Sequence, residues 1–303
     1  MREHELAVLV QALPYIRRFH DALFVVKLGG GLLKDPEHLE AIAADLTLLH
    51  MVGVRLIVVH GGGPQANALS QDLGFEPEMV AGRRVTDERA LEVAKMVFAG
   101  KLNTEMLSAL QKHGARAVGI SGVDGGLVRA RRRPITEVVE DGKSRKIDFG
   151  FVGDVEEVDP SLVNHLVEKR FIPVMSSLAA DREGSILNVN ADTIAAELAV
   201  ATGAHKLISM TGARGVYRKG SEDVYSVLTI EDTAGLMADG TASAGMRPKL
   251  MACCRAVSGG VAKAHIIDGR ARHSLLEEVF TDEGAGTMIV SSKDQLSGEA
   301  GGR

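Results

Sequence analysis

The chain contains no tryptophan, and only 4% of its 303 residues are aromatic. No basic stripe stands out, and the net charge is -5 at pH 7. Few stacking groups and an acidic balance argue against a nucleic-acid partner. No apolar run is long enough to span a bilayer and no signal peptide is visible, so no membrane partner is expected. Cysteine is nearly absent, and the two present, Cys253 and Cys254, are neighbours. Adjacent cysteines form no ordinary disulfide, and no Cys/His cluster accompanies them for zinc. Leu250, Cys253, Cys254 and Val257 share one helix face, which makes the thiols core filler and points to a reduced, cytoplasmic setting. The Gly-x-x-x-x-Gly-Lys-Ser/Thr pattern is also missing, which excludes a Walker A loop.

What is present begins with Phe24-Val25-Val26-Lys27-Leu28-Gly29-Gly30-Gly31. The β-branched and aromatic run reads as a buried strand. It ends in a lysine and three glycines, and a helix is expected from Pro36 and Glu37, with Leu39, Ile42, Leu46 and Leu49 as its apolar face. Strand, glycine turn and helix together suit phosphate, because glycines let amide N–H groups converge on an anion. Three glycines alone fit a tight turn without a ligand equally well. A second copy follows: Arg55–Val59 as strand, then His60-Gly61-Gly62-Gly63-Pro64, with Pro64 in the first turn of a helix. Parallel strands joined by one helical crossover often lie adjacent, so both loops open on one edge and can grip one polyphosphate. His60 reads as a ligand, an acid/base group or, preferably, a loop anchor.

Before the first strand, Leu6, Leu9, Val10, Leu13, Ile16 and Phe19 recur at helical spacing, broken by Pro14. This stripe packs either on its own domain or on a second subunit. Arg84, in Gly82–Asp87, is either a carboxylate clamp or a solvated arginine. A long helix is expected over Leu91–His113, interrupted at Gly100, then a strand over Ala115–Ile120. Residues 127–157 alternate as hairpins, with Asp141-Gly142 as a turn. Arg129, Arg131, Arg132 and Arg133 read as a solvated face. A helix near 161–169 leads to a strand over Phe171–Met175. Asn188-Val189-Asn190-Ala191-Asp192 opens a helix, either as simple capping or as an aspartate orienting cations around a phosphate. Lys206–Thr211 reads as a strand. Lys249 falls in the first turn of another helix, where the macrodipole prefers acids, so either an anion lies nearby or the ammonium faces water. The last strands are His265–Ile267 and Thr287–Val290. Alternating strands and helices give an α/β fold with a mostly parallel sheet. The expected divisions are an N-terminal helix (1–20), an N-lobe (21–180), a C-lobe (181–290) and a frayed tail (291–303), with the lobe boundary near Ala179–Ser185.

Six motifs in this order carry a family resemblance: Lys27-Leu28-Gly29-Gly30, His60–Gln65, Arg84–Asp87, Asn188–Asp192, Gly245–Lys249 and Phe280–Thr287. Over about residues 13–290 the chain resembles the N-acetylglutamate kinases of the amino acid kinase superfamily. The resemblance implies a three-layer αβα sandwich of the carbamate kinase-like type. It implies transfer of the γ-phosphoryl of ATP to the side-chain carboxylate of N-acetyl-L-glutamate in arginine biosynthesis. Lys27 then matches the lysine that stabilises the transferring phosphoryl, Lys249 the lysine on the nucleotide side, and Asp192 the aspartate organising both. Gly29, Gly30, Gly62 and Gly63 match the phosphate cradle, with Gly62 also at the substrate. Arg84 and Asn188 match the groups on the substrate's α-carboxylate. Mg²⁺ bridges the phosphates, with no direct protein ligand expected. The C-lobe binds the nucleotide and the N-lobe the acyl amino acid.

Chemistry agrees with that assignment. A carboxylate nucleophile is ionised at pH 7, so no general base is required. What must be overcome is repulsion between two anions, which lysines, amides and Mg²⁺ address. Ala12-Leu13-Pro14-Tyr15-Ile16 resembles the N-terminal extension of arginine-inhibited members, which implies a homo-oligomer, a hexamer or a dimer, and L-arginine as feedback inhibitor. Tyr15, Glu283 and Gly286 match that inhibitor site. Three departures stand out: Gly212 where members carry aspartate, Gly31-Leu32-Leu33 in the first loop, and Ser176–Ala180 without the usual proline and glycine. Two other functions remain open: a related aminoadipate-type kinase, and a weakly catalytic arginine-sensing regulator that binds a signalling protein.

Overall fold

A computed structural model describes residues 3–80, 83–140 and 143–292. Its centre is an eight-stranded sheet: β1 (Leu23–Leu28), β2 (Arg55–His60), β3 (Ala117–Ser121), β4 (Ile172–Ser176), β5 (Lys206–Thr211), β6 (Val227–Thr229), β7 (Lys263–Asp268) and β8 (Gly286–Val290). The order is β6-β8-β7-β5-β1-β2-β4-β3. All neighbours are parallel except β7 and β8. Sandwiched strands need apolar residues on both faces, and β1 and β2 supply them as continuous buried runs.

Alternation along the strands separates two cores. Phe24, Val26, Leu28, Leu56 and Val58 face the helices Pro36–Met51, Asn103–Lys112 and Ser274–Phe280. Val25, Ile57, Val59 and Leu207 face the helices Ser161–Glu168, Ala191–Ala201 and Arg247–Ser258. This is the expected three-layer sandwich. Lys27 has the parity of Val25, so it points toward the second set of helices. That one period-2 step decides which charged groups it meets.

Several local expectations hold. Seven of the eight sheet strands lie within a residue or two of the expected runs, while Val227–Thr229 is unexpected; Pro64 sits in the first turn of the helix Gly63–Asp72. Cys253 is buried in the core, and Cys254 lies 3.0 Å from the Thr233 hydroxyl. The interruption near Gly100 is real: residues Lys95–Leu102 form a widened π-helical turn between two α-helical pieces. Hairpins fill 128–158, and the pair Thr136–Glu140 with Lys143–Ile147 flanks Asp141-Gly142, which lies outside the described residues. The arginine cluster is solvated and matched by acids: Arg129 with Glu157, Arg132 with Asp148, Arg133 with Asp154. Residues Leu178–Ala180 and Ile186–Val189 pair antiparallel around the turn at 181–185. Most of the expected tail, 293–303, lies outside the described residues.

One expectation is corrected. Pro14 does not break the first helix, which runs from Glu3 to Phe19 with the proline inside. A proline there removes the partner of the Val10 carbonyl. Val10 is 68% exposed, so water meets that carbonyl and the helix continues.

Candidate active site

The C-terminal ends of β1, β2 and β5 open on one edge, and the glycine loops lie there. Gly29 N–H donates to Met210 O at 3.0 Å, which seats the first loop beside the end of β5. The second loop lies against it: a Cβ on Gly30 would come 3.2 Å from Gly62 Cα and 3.1 Å from Pro64 Cδ. Two side chains would therefore not fit where two glycines do. Among the described residues, no acceptor faces the amides of Gly30, Gly31 and Gly62. Unused amides at the mouth of a parallel sheet are suited to an anion.

Lys27, Asp192 and Lys249 meet beneath these loops. Asn190 caps the helix Ala191–Ala201, its Oδ1 accepting from Asp192 N at 2.8 Å and Thr193 N at 3.2 Å. The cap therefore belongs to Asn190, and the Asp192 carboxylate is left for another task. Lys27 Nζ lies 2.8 Å from Asp192 Oδ1, and Lys249 Nζ lies 3.8 Å from Oδ2. Lys27 and Asp192 are both buried. Burial pushes the Asp192 pKa up, but the Lys27 and Lys249 ammonium groups outweigh it and hold the carboxyl below its ordinary value. Burial lowers the Lys249 pKa; Asp192 raises it in turn, and Lys27 adds to the lowering. One carboxylate between two ammonium groups leaves a surplus of one positive charge, in a place shielded from water. That surplus answers why Lys249 stands at a helix start.

Arg84 lies at the side of the second loop. Its Nη2 donates to Gly63 O at 2.7 Å and also meets Asn67 Oδ1. Its Nη1 is buried with no acceptor among the described residues. An unfilled guanidinium donor beside a glycine loop fits a carboxylate ligand. Burial lowers the Arg84 pKa. Asn188 Nδ2 donates to Thr86 Oγ1 at 3.2 Å, which ties it to the Arg84–Asp87 segment. That segment is in turn laced to the link between the strands Lys143–Ile147 and Val152–Val158: Thr86 N donates to Phe149 O at 2.9 Å and Phe151 N to Thr86 O at 2.7 Å. Gly150 permits the approach, having φ +69°, and a Cβ there would lie 2.3 Å from Thr86 O.

His60 is fully buried. Its Nδ1 lies 3.2 Å from Gly61 O, and its Nε2 lies 3.2 Å from Asn103 Nδ2. Asn103 Nδ2 also donates to Val174 O at 2.9 Å. The consistent pattern is Nδ1–H donating to Gly61 and Nε2 accepting from Asn103. Burial pushes the imidazole pKa down to about 4. A neutral, enclosed ring is a loop anchor.

Lys27, Asp192, Lys249 and the four cradle glycines thus gather on one sheet edge, with Arg84 bound to Gly63. Tyr15, Glu283 and Gly286 gather elsewhere, around a cavity of about 680 Å³ that Lys206 and Lys263, at the starts of β5 and β7, also line. Sequence reasoning gave no role to Gln65 or Thr86 and missed Asn67, Asn103 and Gly150 altogether. Gln65 and Thr86 carried a signal, each standing inside a motif, Gln65 just after Gly63-Pro64 and Thr86 two residues after Arg84. Of the departures, Leu32 is buried against Gly269, where a Cβ would lie 2.4 Å from Leu32 Cδ1. At Gly212 a Cβ would stand 3.9 Å from the Arg270 side chain, which pairs with Asp268.

The model of the amino acid kinase family matches residues 22–268. The acetylglutamate kinase of Methanocorpusculum labreanum is 48% identical over 290 residues, covering 96% of this chain and 98% of that protein. The acetylglutamate kinase of Heliobacterium modesticaldum is 44% identical over 285 residues, covering 93% and 97%. Among solved structures, the N-acetylglutamate synthase of Neisseria gonorrhoeae, in complex with coenzyme A and N-acetyl-glutamate, aligns with TM-score 0.81 at 29% identity. That alignment covers 95% of this chain, which spans 63% of the synthase. The carbamate kinase of Giardia lamblia, at 16% identity and TM-score 0.65 over 90% of this chain and 99% of that one, shares the fold. By family model and by near-full-length relatives, the chain belongs to the amino acid kinase family, among its acetylglutamate kinases.

Proposed function

We propose that this chain transfers the γ-phosphoryl group of ATP to the side-chain carboxylate of N-acetyl-L-glutamate, giving N-acetylglutamyl 5-phosphate for arginine biosynthesis. The observation that carries this reading is the pair of lysines meeting one buried carboxylate beneath two glycine loops. A carboxylate oxygen attacks the γ-phosphorus. The bond from that phosphorus to the bridging oxygen breaks, and its electron pair leaves with ADP. No proton moves, which agrees with a neutral His60 whose two ring nitrogens are taken by Gly61 O and the Asn103 side chain. Lys27 and the loop amides offset charge on the transferring phosphoryl, and Lys249 offsets it on the leaving diphosphate. Asp192 keeps the two ammonium groups together until an anion is bound. The open Nη1 of Arg84 takes the acceptor's α-carboxylate, with Asn188 beside it. Bound together with ATP, Mg²⁺ would supply further charge neutralisation. Both Asp192 oxygens face lysines, so this carboxylate serves them.

L-Arginine is proposed as an inhibitor bound in the cavity lined by Tyr15, Glu283 and Gly286. That cavity offers both signs of charge, from Lys206, Lys263, Asp282 and Glu283, as a zwitterionic amino acid with a cationic side chain requires. The similar synthase was also crystallised with coenzyme A and L-arginine. Val10 and Leu13 on the first helix are exposed, which supports cover by another subunit in a hexamer. A hydroxamate assay with ATP and N-acetylglutamate, with and without arginine, tests the whole proposal. Acyl phosphate trapped by hydroxylamine, lost in Lys27→Ala, is expected. Product from an α-aminoadipate derivative and none from N-acetylglutamate would overturn the substrate.

A further inference from the structure

The two glycine loops converge only if their peptides hold a fixed orientation. A peptide between glycines turns over at little steric cost, and a flipped peptide would aim a carbonyl oxygen at a phosphate. Side chains tie back carbonyls in both loops: His60 Nδ1 meets Gly61 O at 3.2 Å in the second. Arg84 holds Gly63 O at 2.7 Å, and Gln65 Nε2 donates to Gly30 O at 2.7 Å. Leu33 N, at 3.3 Å, also donates to the Gly30 carbonyl. Only the amino end of Gln65 can make this bond, because the opposite amide orientation would set two oxygens face to face.

We infer that Gln65 is a positioning residue for phosphoryl transfer: it pins the Gly30–Gly31 peptide so that the first loop's N–H, and not its carbonyl, faces the phosphates held by the second. Gln65 is well placed for this. It follows Pro64 in the first turn of the helix that the second loop opens, so one side chain fixes the spacing between the loops. Its other end also speaks against a stabilising role. Gln65 Oε1 is buried and has no donor among the described residues. A buried acceptor left unmet costs stability, so the residue is a poor choice for packing alone. The inference rests on the kinase reading for its ligand, but the loop geometry stands for any bound polyphosphate.

The test compares Gln65→Met, which keeps shape and loses the donor, with Gln65→Glu, which keeps shape and places an acceptor against Gly30 O. Binding of a non-hydrolysable ATP analogue with Mg²⁺ is measured by calorimetry, alongside KM for each substrate and thermal unfolding. Losing this hydrogen bond should weaken the analogue about tenfold in Gln65→Met. KM for N-acetylglutamate should stay within about twofold, and the unfolding temperature should hold or rise. Gln65→Glu should bind more weakly still at pH 8 and recover as the pH falls and its carboxyl gains a donor proton. Gln65→Met with wild-type affinity for the analogue would overturn the inference. So would equal losses for both substrates together with a lower unfolding temperature. A wild-type chain that binds the analogue but phosphorylates no N-acetylglutamate would instead refute the function, leaving the loop inference to be judged on binding alone.

Discussion

Lys27, near the end of β1, and Asp192, in the first turn of the helix Ala191–Ala201, meet at 2.8 Å with both side chains buried. Such a pair is a weak source of stability, since desolvation offsets much of the attraction. Its value lies in what it prepares: an ammonium group already dehydrated near the end of the strand that leads into the first glycine loop. Asp192→Asn keeps shape and leaves the Asn190 cap intact, but abandons two ammonium groups to each other. We expect kcat to fall by roughly 10²-fold or more, on the scale of lost preorganised electrostatics. Unmatched buried charge should also cost about 3–5 kcal/mol of stability. The hydroxamate assay and denaturant unfolding measure the two losses. An unchanged kcat would refute the role given to the carboxylate.

Arg84 divides its guanidinium between the protein and the proposed acceptor. Nη2 serves Gly63 and Asn67, and Nη1 is left open. Lysine has no fork and cannot serve both sides. Arg84→Lys should therefore raise KM for N-acetylglutamate by roughly 10–100-fold, the scale of a charge-assisted hydrogen bond. ATP-analogue affinity should change far less, because Gln65 still holds the first loop. Equal weakening of both ligands, seen by calorimetry, would contradict this division.

The fold was legible in the sequence because parallel strands buried on both faces leave long apolar runs, and β1 and β2 are such runs. The charged centre was legible for a different reason. The resemblance brought Lys27, Lys249 and Asp192 together, whereas the helix-start position of Lys249 alone left open a nearby anion or an ammonium facing water. The supporting residues were not legible. Asn103, just after the π-helical turn, meets His60 across 43 residues of sequence, and Gly150 matters only because Thr86 lies against it. Those relations are tertiary, with no local period to announce them. Pro14 shows the reverse, a strong local rule overruled because water could satisfy the freed carbonyl.

His60 should mark the acid limit of stability. In the unfolded chain its imidazole gains a proton near pH 6.5, whereas in the folded protein burial delays that to about 4. Protons therefore favour the unfolded state between these values. Stability is complete above about pH 6.5 and falls as pH drops toward 4, by roughly 3 kcal/mol from this group. His60→Gln should flatten that part of the pH dependence of unfolding. The same burial keeps His60 out of the kcat profile between pH 5 and 8. An identical slope in the variant would show that other groups set the acid limit.

The cavity at Tyr15 and the lysine pair lie at opposite ends of one strand. Lys206 opens β5 and lines the cavity, and Thr211 closes it beside the first glycine loop, ~17 Å away at the usual strand rise. The first helix reaches the same sheet from the cavity side: Phe19 packs edge-on against Phe24 of β1 at 5.3 Å, two residues before Val26 and three before Lys27. A ligand that draws Tyr15 and Glu283 together would therefore pull on the helix seated against the strand that carries Lys27. Burial and the neighbouring Asp282 raise the Tyr15 pKa, so its hydroxyl stays protonated as a donor to that carboxylate. Tyr15→Phe removes the donor, and Glu283→Ala removes an acid that would meet a guanidinium. Each should raise the arginine concentration for half-inhibition by about tenfold, one charge-assisted hydrogen bond's worth, and leave both substrate KM values in place. Titrating arginine into wild type and both variants by calorimetry, beside the hydroxamate assay, separates binding from its effect. Wild-type activity unmoved by millimolar arginine, with no heat of binding, would remove the inhibitor from this cavity and leave the kinase chemistry untouched.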